Sequence, residues 1–116
     1  MKPIVVLTTV ATLADARALA RSLVEARLAA CAHISPIESF YHWQGALQNE
    51  PEFSVAFKTS AEEYPRIEAA IRAQHPYQLP DIHALPLTQI YEPYARWLEQ
   101  SLQSAAPAQE RSAASP

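Results

Sequence analysis

A chain of 116 residues with 49% hydrophobic side chains is the size of one domain and has ample material for a core. Its formal charge of −3 and isoelectric point near 5.7, with Lys and Arg scattered rather than clustered, argue against a nucleic-acid footprint. No apolar run approaches the roughly 20 residues that span a bilayer, the opening Met1-Lys2-Pro3-Ile4 lacks the shape of a signal peptide, and the single Cys31 cannot form an internal disulfide, so a reducing cytoplasm is expected, with neither membrane nor nucleic acid as partner.

Ile4-Val5-Val6-Leu7-Thr8-Thr9 is nearly all β-formers without alternation, which predicts a central strand covered on both faces. Thr12 and Asp15 have the spacing of a helix start. Leu13, Ala16, Leu19, Ala20, Leu23, Val24 and Leu28 then recur at helical spacing, with Arg17, Arg21 and Glu25 facing outward.

The next stretch, Ala30 to Thr59, reads as one long β-hairpin divided by Gly45, the chain's one glycine. Phe53, Val55 and Phe57 alternate with Ser54, Ala56 and Lys58, the period of a half-buried strand. Phe40, Tyr41 and Trp43 supply bulky strand residues on the other arm. Gln44-Gly45 suits the turn, because glycine accepts a positive φ. Each arm is about 14 residues, or about 45 Å when extended, whereas a compact domain of this size has a radius of gyration of about 13 Å. The arms therefore overrun a monomeric core. Pro36 and Pro51 each remove a ladder donor, which places them at bends or edges. Apolar edges invite aggregation unless covered, and a partner subunit is the simplest cover.

Ser60-Ala61-Glu62-Glu63 has the form of a capping box for a second helix, with Tyr64, Ile67 and Ile71 as its buried stripe. That helix must stop near Gln74, because Pro76 disfavours helical geometry at His75. A proline-punctuated connection, His75 to Pro80, leads to a strand from Asp81 to about Leu87. Pro93 opens a third helix that should bury Tyr94, Trp97, Leu98 and Leu102. A domain over 1–103 and a disordered Ser-, Ala- and Pro-rich tail over 104–116 complete the expected organisation. The order β-α-β-β-α-β plus a terminal helix is an α+β, ferredoxin-like sandwich carrying a long hairpin.

Six stretches in this order and spacing resemble the CutA family of divalent-cation tolerance proteins. They are Leu28-Ala29-Ala30-Cys31; Tyr41-x-Trp43-x-Gly45; Glu52 through Lys58-Thr59; His75-Pro76-Tyr77-x-x-Pro80-Asp81-Ile82; Leu85-Pro86; and Tyr94-x-x-Trp97-Leu98. The resemblance spans about residues 4 to 102. It implies a ferredoxin-like fold assembled as a homotrimer with hairpins exchanged between neighbours, an architecture similar to PII signalling trimers. It also implies a cleft between subunits lined from the regions of Glu52, Lys58 and Tyr77. Relatives with a proposed copper site carry a cysteine near the end of the first strand and a His-His-Pro run. Here those positions are Thr8 and Gln74-His75-Pro76, so His75 alone remains. Ile90 stands where a glycine is expected, and Asp81 where a glutamate is common.

Each candidate residue has a structural reading beside the functional one. Cys31 is a soft donor suited to copper, or a small buried hydrophobe. His33, two residues on, shares its face in a regular strand and would complete a Cys-x-His pair. His75 is either a metal ligand or a cap for the last carbonyls of the second helix. His42 and His83 have no evident partners. Lys58 with a carboxylate makes an anion site or an intersubunit salt bridge. Tyr41 and Trp43 are expected in the trimer interface, whose cores favour aromatics.

No enzyme signature occurs: one glycine cannot build a phosphate loop, and neither G-x-S-x-G nor H-E-x-x-H is present. The leading expectation is a trimeric copper-tolerance protein that binds metal and requires no cofactor beyond copper or another divalent cation. The alternative is a PII-like trimer taking a small anionic ligand or a partner protein at its clefts. A weak hydrolase is the third reading, because clefts with Lys, Tyr and Glu can be catalytic.

Overall fold

The computed structural model describes residues 1–102; the expected tail lies outside the described residues. The elements are β1 (Pro3–Val10), α1 (Leu13–Glu25), β2 (Cys31–Trp43), β3 (Ala46–Ser60), a 3-10 turn (Ala61–Glu63), α2 (Tyr64–Gln74), β4 (Ile82–Pro86) and α3 (Glu92–Gln100). The sheet order is β2-β3-β1-β4, and every pairing is antiparallel. The fold is thus α+β and ferredoxin-like.

The core lies between the sheet and the first two helices. Ile4, Val6 and Val10 of β1 and Val55 and Phe57 of β3 meet Ala16, Leu19 and Leu23 of α1 and Ile67 and Ile71 of α2. Burial of each large side chain here contributes about 1.5–3 kcal/mol. The continuous apolar run of β1 predicted cover on both faces, but only the helix face is buried; Val5, Leu7 and Thr9 stay half-buried on the other. A separate small cluster forms where Leu98 of α3, and Leu102 just beyond it, pack on Ala30. Trp97, expected inside, is 46% exposed, because it stacks on the outer side of half-buried Tyr94, centroids 5.4 Å apart.

Local rules account for most boundaries. Thr12 caps α1 by accepting from the Asp15 amide at 3.1 Å. The helix ends in a Schellman motif: Arg27 takes φ 58, its amide bonds the Val24 carbonyl, and the Leu28 amide bonds that of Leu23. The predicted capping box does not form. Ser60 precedes a 3-10 turn and makes no side-chain cap bond. Glu63, fully buried, instead accepts from Arg66 at 2.7 Å, and α2 starts one residue later around Pro65.

Gln44 and Gly45, at φ 51 and 80, form the tight two-residue turn that suits the twist of a hairpin. A Cβ on Gly45 would meet nothing within 4 Å, so the constraint there is φ alone. Pairing of β1 with β3 stops at Val10↔Phe53, whereas β2 and β3 stay paired out to Trp43↔Ala46. The outer hairpin is therefore a two-stranded ribbon beyond the core. It lengthens the molecule to 51 × 36 × 21 Å, with a radius of gyration of 15.3 Å. Pro36 sits on the edge strand β2, and Pro51 on the part of β3 that β1 does not reach, so neither proline interrupts a doubly paired strand.

Candidate functional site

The ribbon and the connection between α2 and β4 border an open groove of about 660 Å³. Phe40, Tyr41 and Trp43 of β2 line it from one side, Glu52 comes from β3, and Tyr77 and Asp81 come from the connection. A chain of hydrogen bonds holds the connection in place. The Tyr77 amide donates to His75 Nδ1 at 3.1 Å, which puts the ring proton on Nε2; that atom donates to the Thr9 carbonyl at 2.9 Å. The Tyr77 hydroxyl donates to Glu52 Oε2 at 2.5 Å. Burial first, and then the bond to Glu52, push the Tyr77 phenol well above its usual range, so it stays a donor. Glu52 is only 7% exposed, and no Lys, Arg or His lies within ion-pair distance of it among the described residues.

Of the three residues expected at the cleft, the fold brings Glu52 and Tyr77 together and leaves Lys58 apart. Lys58 pairs in register with Cys31 near the other end of β3, and its Nζ lies 5.1 Å from the centroid of the Tyr94 ring. Cys31 opens β2; it is half-buried, with Sγ 3.5 Å from the Tyr94 hydroxyl. That contact first, and then burial, raise the Tyr94 phenol to about 12.

The two metal candidates do not converge. Cys31 lies opposite Lys58, whereas His75 bonds Thr9, which lies opposite Ser54. Those points are about 13 Å apart along β3. His75 does not cap α2 with its ring, because both nitrogens serve Thr9 and Tyr77; its backbone amide bonds the Ile71 carbonyl instead. Thr8 is fully buried among core residues, and Gln74 donates to the Ser22 hydroxyl at 3.0 Å. No group of three or more His, Cys, Asp or Glu side chains that could hold a metal occurs among the described residues.

The model of the CutA1 divalent ion tolerance protein family matches residues 4–101. The chain belongs to the CutA1 family. Its similarity to the divalent-cation tolerance protein CutA of Thermus thermophilus is 40% identity over 98 residues, 84% of this chain and 95% of the relative. The solved CutA structure from Synechococcus elongatus PCC7942 is 41% identical with a TM-score of 0.85, covering 88% of this chain and 91% of that one. A CutA of Arabidopsis thaliana, described as chloroplastic, is 37% identical over 99 residues; the match takes in 84% of this chain and 54% of that relative. Among the described residues, no helix is long and apolar enough to cross a membrane.

Sequence reading missed two contacts of this CutA1 chain. The Cys31–Tyr94 pair joins residues 63 positions apart and had no local signal. The Asp81–His83 pair, Oδ1 to Nδ1 at 2.7 Å, was legible in principle, because residues two apart on a strand share a face.

Proposed function

We propose that this CutA1 chain serves divalent-cation tolerance as a non-enzymatic cytoplasmic homotrimer that binds copper or another divalent cation. The hairpin carries the assembly reading. Phe40 is 65% exposed, Leu47 66% and Trp43 40%, on a ribbon that leaves the core. A two-stranded ribbon alone is marginally stable in water, and a neighbour covering those side chains supplies what it lacks. Sedimentation equilibrium at micromolar concentration should give about three times the chain mass of 12.9 kDa. Trp43→Ala should weaken assembly far more than Tyr64→Ala, since truncating a buried aromatic costs about 3–5 kcal/mol and Tyr64 lies against the core of its own chain. A monomer, or equal effects of the two variants, would sink the assembly.

For the metal, Cys31 and His33 support a site better than His75 does. They share a face of β2, Cys31 half-buried and His33 exposed, whereas both His75 nitrogens are engaged. Anaerobic copper titration without reductant should show binding weakened by Cys31→Ser and unmoved by His75→Ala. The reverse pattern refutes the assignment.

Lys58 favours the PII-like reading as a second possibility. It rests on an aromatic face with no carboxylate in ion-pair distance among the described residues, a setting open to a small anion. Calorimetry with nucleotides and inorganic anions tests it; heats unchanged in Lys58→Met would exclude that site.

A further inference from the structure

We propose that His75 is a proton-operated latch on the connection between α2 and β4. The hydrogen bonds around its ring fix which nitrogen carries the proton. The Tyr77 amide can only donate, so Nδ1 accepts from it at 3.1 Å; the Thr9 carbonyl can only accept, so Nε2 donates to it at 2.9 Å. The ring is therefore neutral, with its one proton on Nε2. It stands where the chain leaves α2, and it ties that exit to β1 on one side and to Tyr77 on the other. A second proton would place an N–H at Nδ1 against the N–H of Tyr77. Two donors cannot bond, so the charged ring gives up the Tyr77 contact while keeping the Thr9 one. Histidine is the side chain that ordinarily changes charge between pH 5 and 8, so this contact answers to acid where a bond between two backbone groups does not.

The surroundings offer a charged ring no compensation. No Asp or Glu lies within ion-pair distance of His75 among the described residues. From the connection itself the titratable neighbour is Tyr77, with ring centroids 4.9 Å apart; its phenol stays protonated, because burial and then the bond to Glu52 hold it above its usual range. From β3, Glu52 is turned to the Tyr77 hydroxyl. Asp81, at the far end of the connection, is bonded to His83. β1 presents the Thr9 carbonyl. α2 presents Gln74, whose amide is bonded to Ser22 of α1, and Arg72, which carries the same sign as a protonated ring. The bonds thus favour the neutral ring, so their contribution is complete at high pH and fades as the ring takes up its proton. What the latch holds is Tyr77, the donor to the nine-tenths-buried Glu52. All of these bonds lie within one chain and need no open groove, so they stand whether or not a neighbouring copy covers the hairpin. In the proposed trimer Glu52 and Tyr77 belong to the cleft between subunits, and acid would loosen that cleft; this consequence rests on the assembly reading, whereas the latch does not.

The test is native-state hydrogen exchange of the Tyr77 amide in the full chain, in whatever assembly it adopts. It is read by NMR from about pH 8 to about pH 5, a range in which exposed carboxylates stay ionised. Rates are corrected for intrinsic exchange at each pH, and the charge of the His75 ring is followed in the same samples. Tyr77 protection should fall about tenfold in step with protonation of the ring, the effect of one lost hydrogen bond, while amides of the β1–β3 ladder keep theirs. His75→Asn supplies an oxygen that accepts from the amide two residues on, as asparagine does in turns, and does not titrate; its Tyr77 protection should stay level across the range. His83→Asn removes the other histidine bonded into the connection and should leave the wild-type response intact. Level Tyr77 protection in the wild type overturns the proposal. So does a response that persists in His75→Asn or disappears in His83→Asn. The wild-type titration decides the matter even if His75→Asn fails to fold. Sedimentation at both ends of the range reports separately on assembly: a monomer throughout sinks the trimer, and a Tyr77 response in that same sample still supports the latch.

Discussion

Replacing Thr8 by valine should stabilise the protein. Thr8 is at 0% exposure on the helix face of the central strand, and its register partners are Val55 and Ile82. Its Oγ1 finds no hydrogen-bond partner. A buried hydroxyl left unsatisfied costs about 1–3 kcal/mol. Valine preserves the β-branch, the strand preference and nearly the volume, so packing should change little. The expected gain is about 1–2 kcal/mol, equivalent to a rise in melting temperature of roughly 4–8 °C per kcal/mol for a domain of this size. Calorimetric scans and urea titrations should be run at matched protein concentration, because association shifts apparent stability. An unchanged urea m-value would show that the denatured state is not the source of the gain. A loss of stability in Thr8→Val would refute the reasoning, since it would mean that the hydroxyl makes a favourable bond in solution.

Arg66→Ala should destabilise the chain by about 3–5 kcal/mol, because it strips the bonded partner from the fully buried Glu63 carboxylate; urea unfolding measures this, and Arg66→Ala/Glu63→Leu should recover most of the loss. Alkaline unfolding should depend on Tyr94. Its phenol is raised from 10.0 to about 12 in the fold, so between those values the folded chain holds a proton that the unfolded chain has lost. Its contribution is therefore complete below pH 10 and disappears as pH rises through about 12, and urea midpoints from pH 9 to 12 should fall more steeply in wild type than in Tyr94→Phe. Gln44→Asn should raise the melting temperature by a few degrees, since asparagine tolerates the left-handed conformation found at φ 51 better than glutamine does.

The architecture was legible where periodicity and punctuation carried it. Alternation in Phe53, Val55 and Phe57, the Thr12 cap, Pro76 and Gly45 located the strands, helix ends and turn, because each acts through its immediate neighbours. The overlong hairpin was legible from length alone. The failures share a cause in long-range packing. The Ser60 to Glu63 motif matched a capping box, but the buried Glu63 found Arg66 instead. Trp97 had helical spacing with Tyr94, yet the small patch formed by Ala30, Leu98 and Leu102 leaves it outside. The groove was half legible. Glu52 and Tyr77 were singled out, but their bond joins positions 25 apart, and Lys58 was grouped with them because the family resemblance implies a cleft lined from all three stretches, whereas it lies six positions from Glu52 toward the other end of β3. The engagement of both His75 nitrogens depends on the Thr9 carbonyl, 66 positions away, which no spacing rule reaches.

The strand order also governs when each part of the molecule can fold. Val5 of β1 pairs with Lys58 on one side and Leu85 on the other, so the first strand made by a ribosome waits through most of translation for its neighbours. The hairpin needs no such wait, because Trp43 and Ala46 are adjacent across their turn and pairing can zip inward from there. Nascent chains therefore display the aromatic ribbon before the central strand has been bracketed. During that interval the ribbon is open to neighbouring nascent chains on the same message, and β4 is the latch that closes last. Substitutions in the β1–β4 ladder such as Ala84→Gly should then speed unfolding while leaving the refolding rate almost unchanged, whereas Val55→Ala should slow refolding; stopped-flow chevrons with those two responses exchanged would reverse the order.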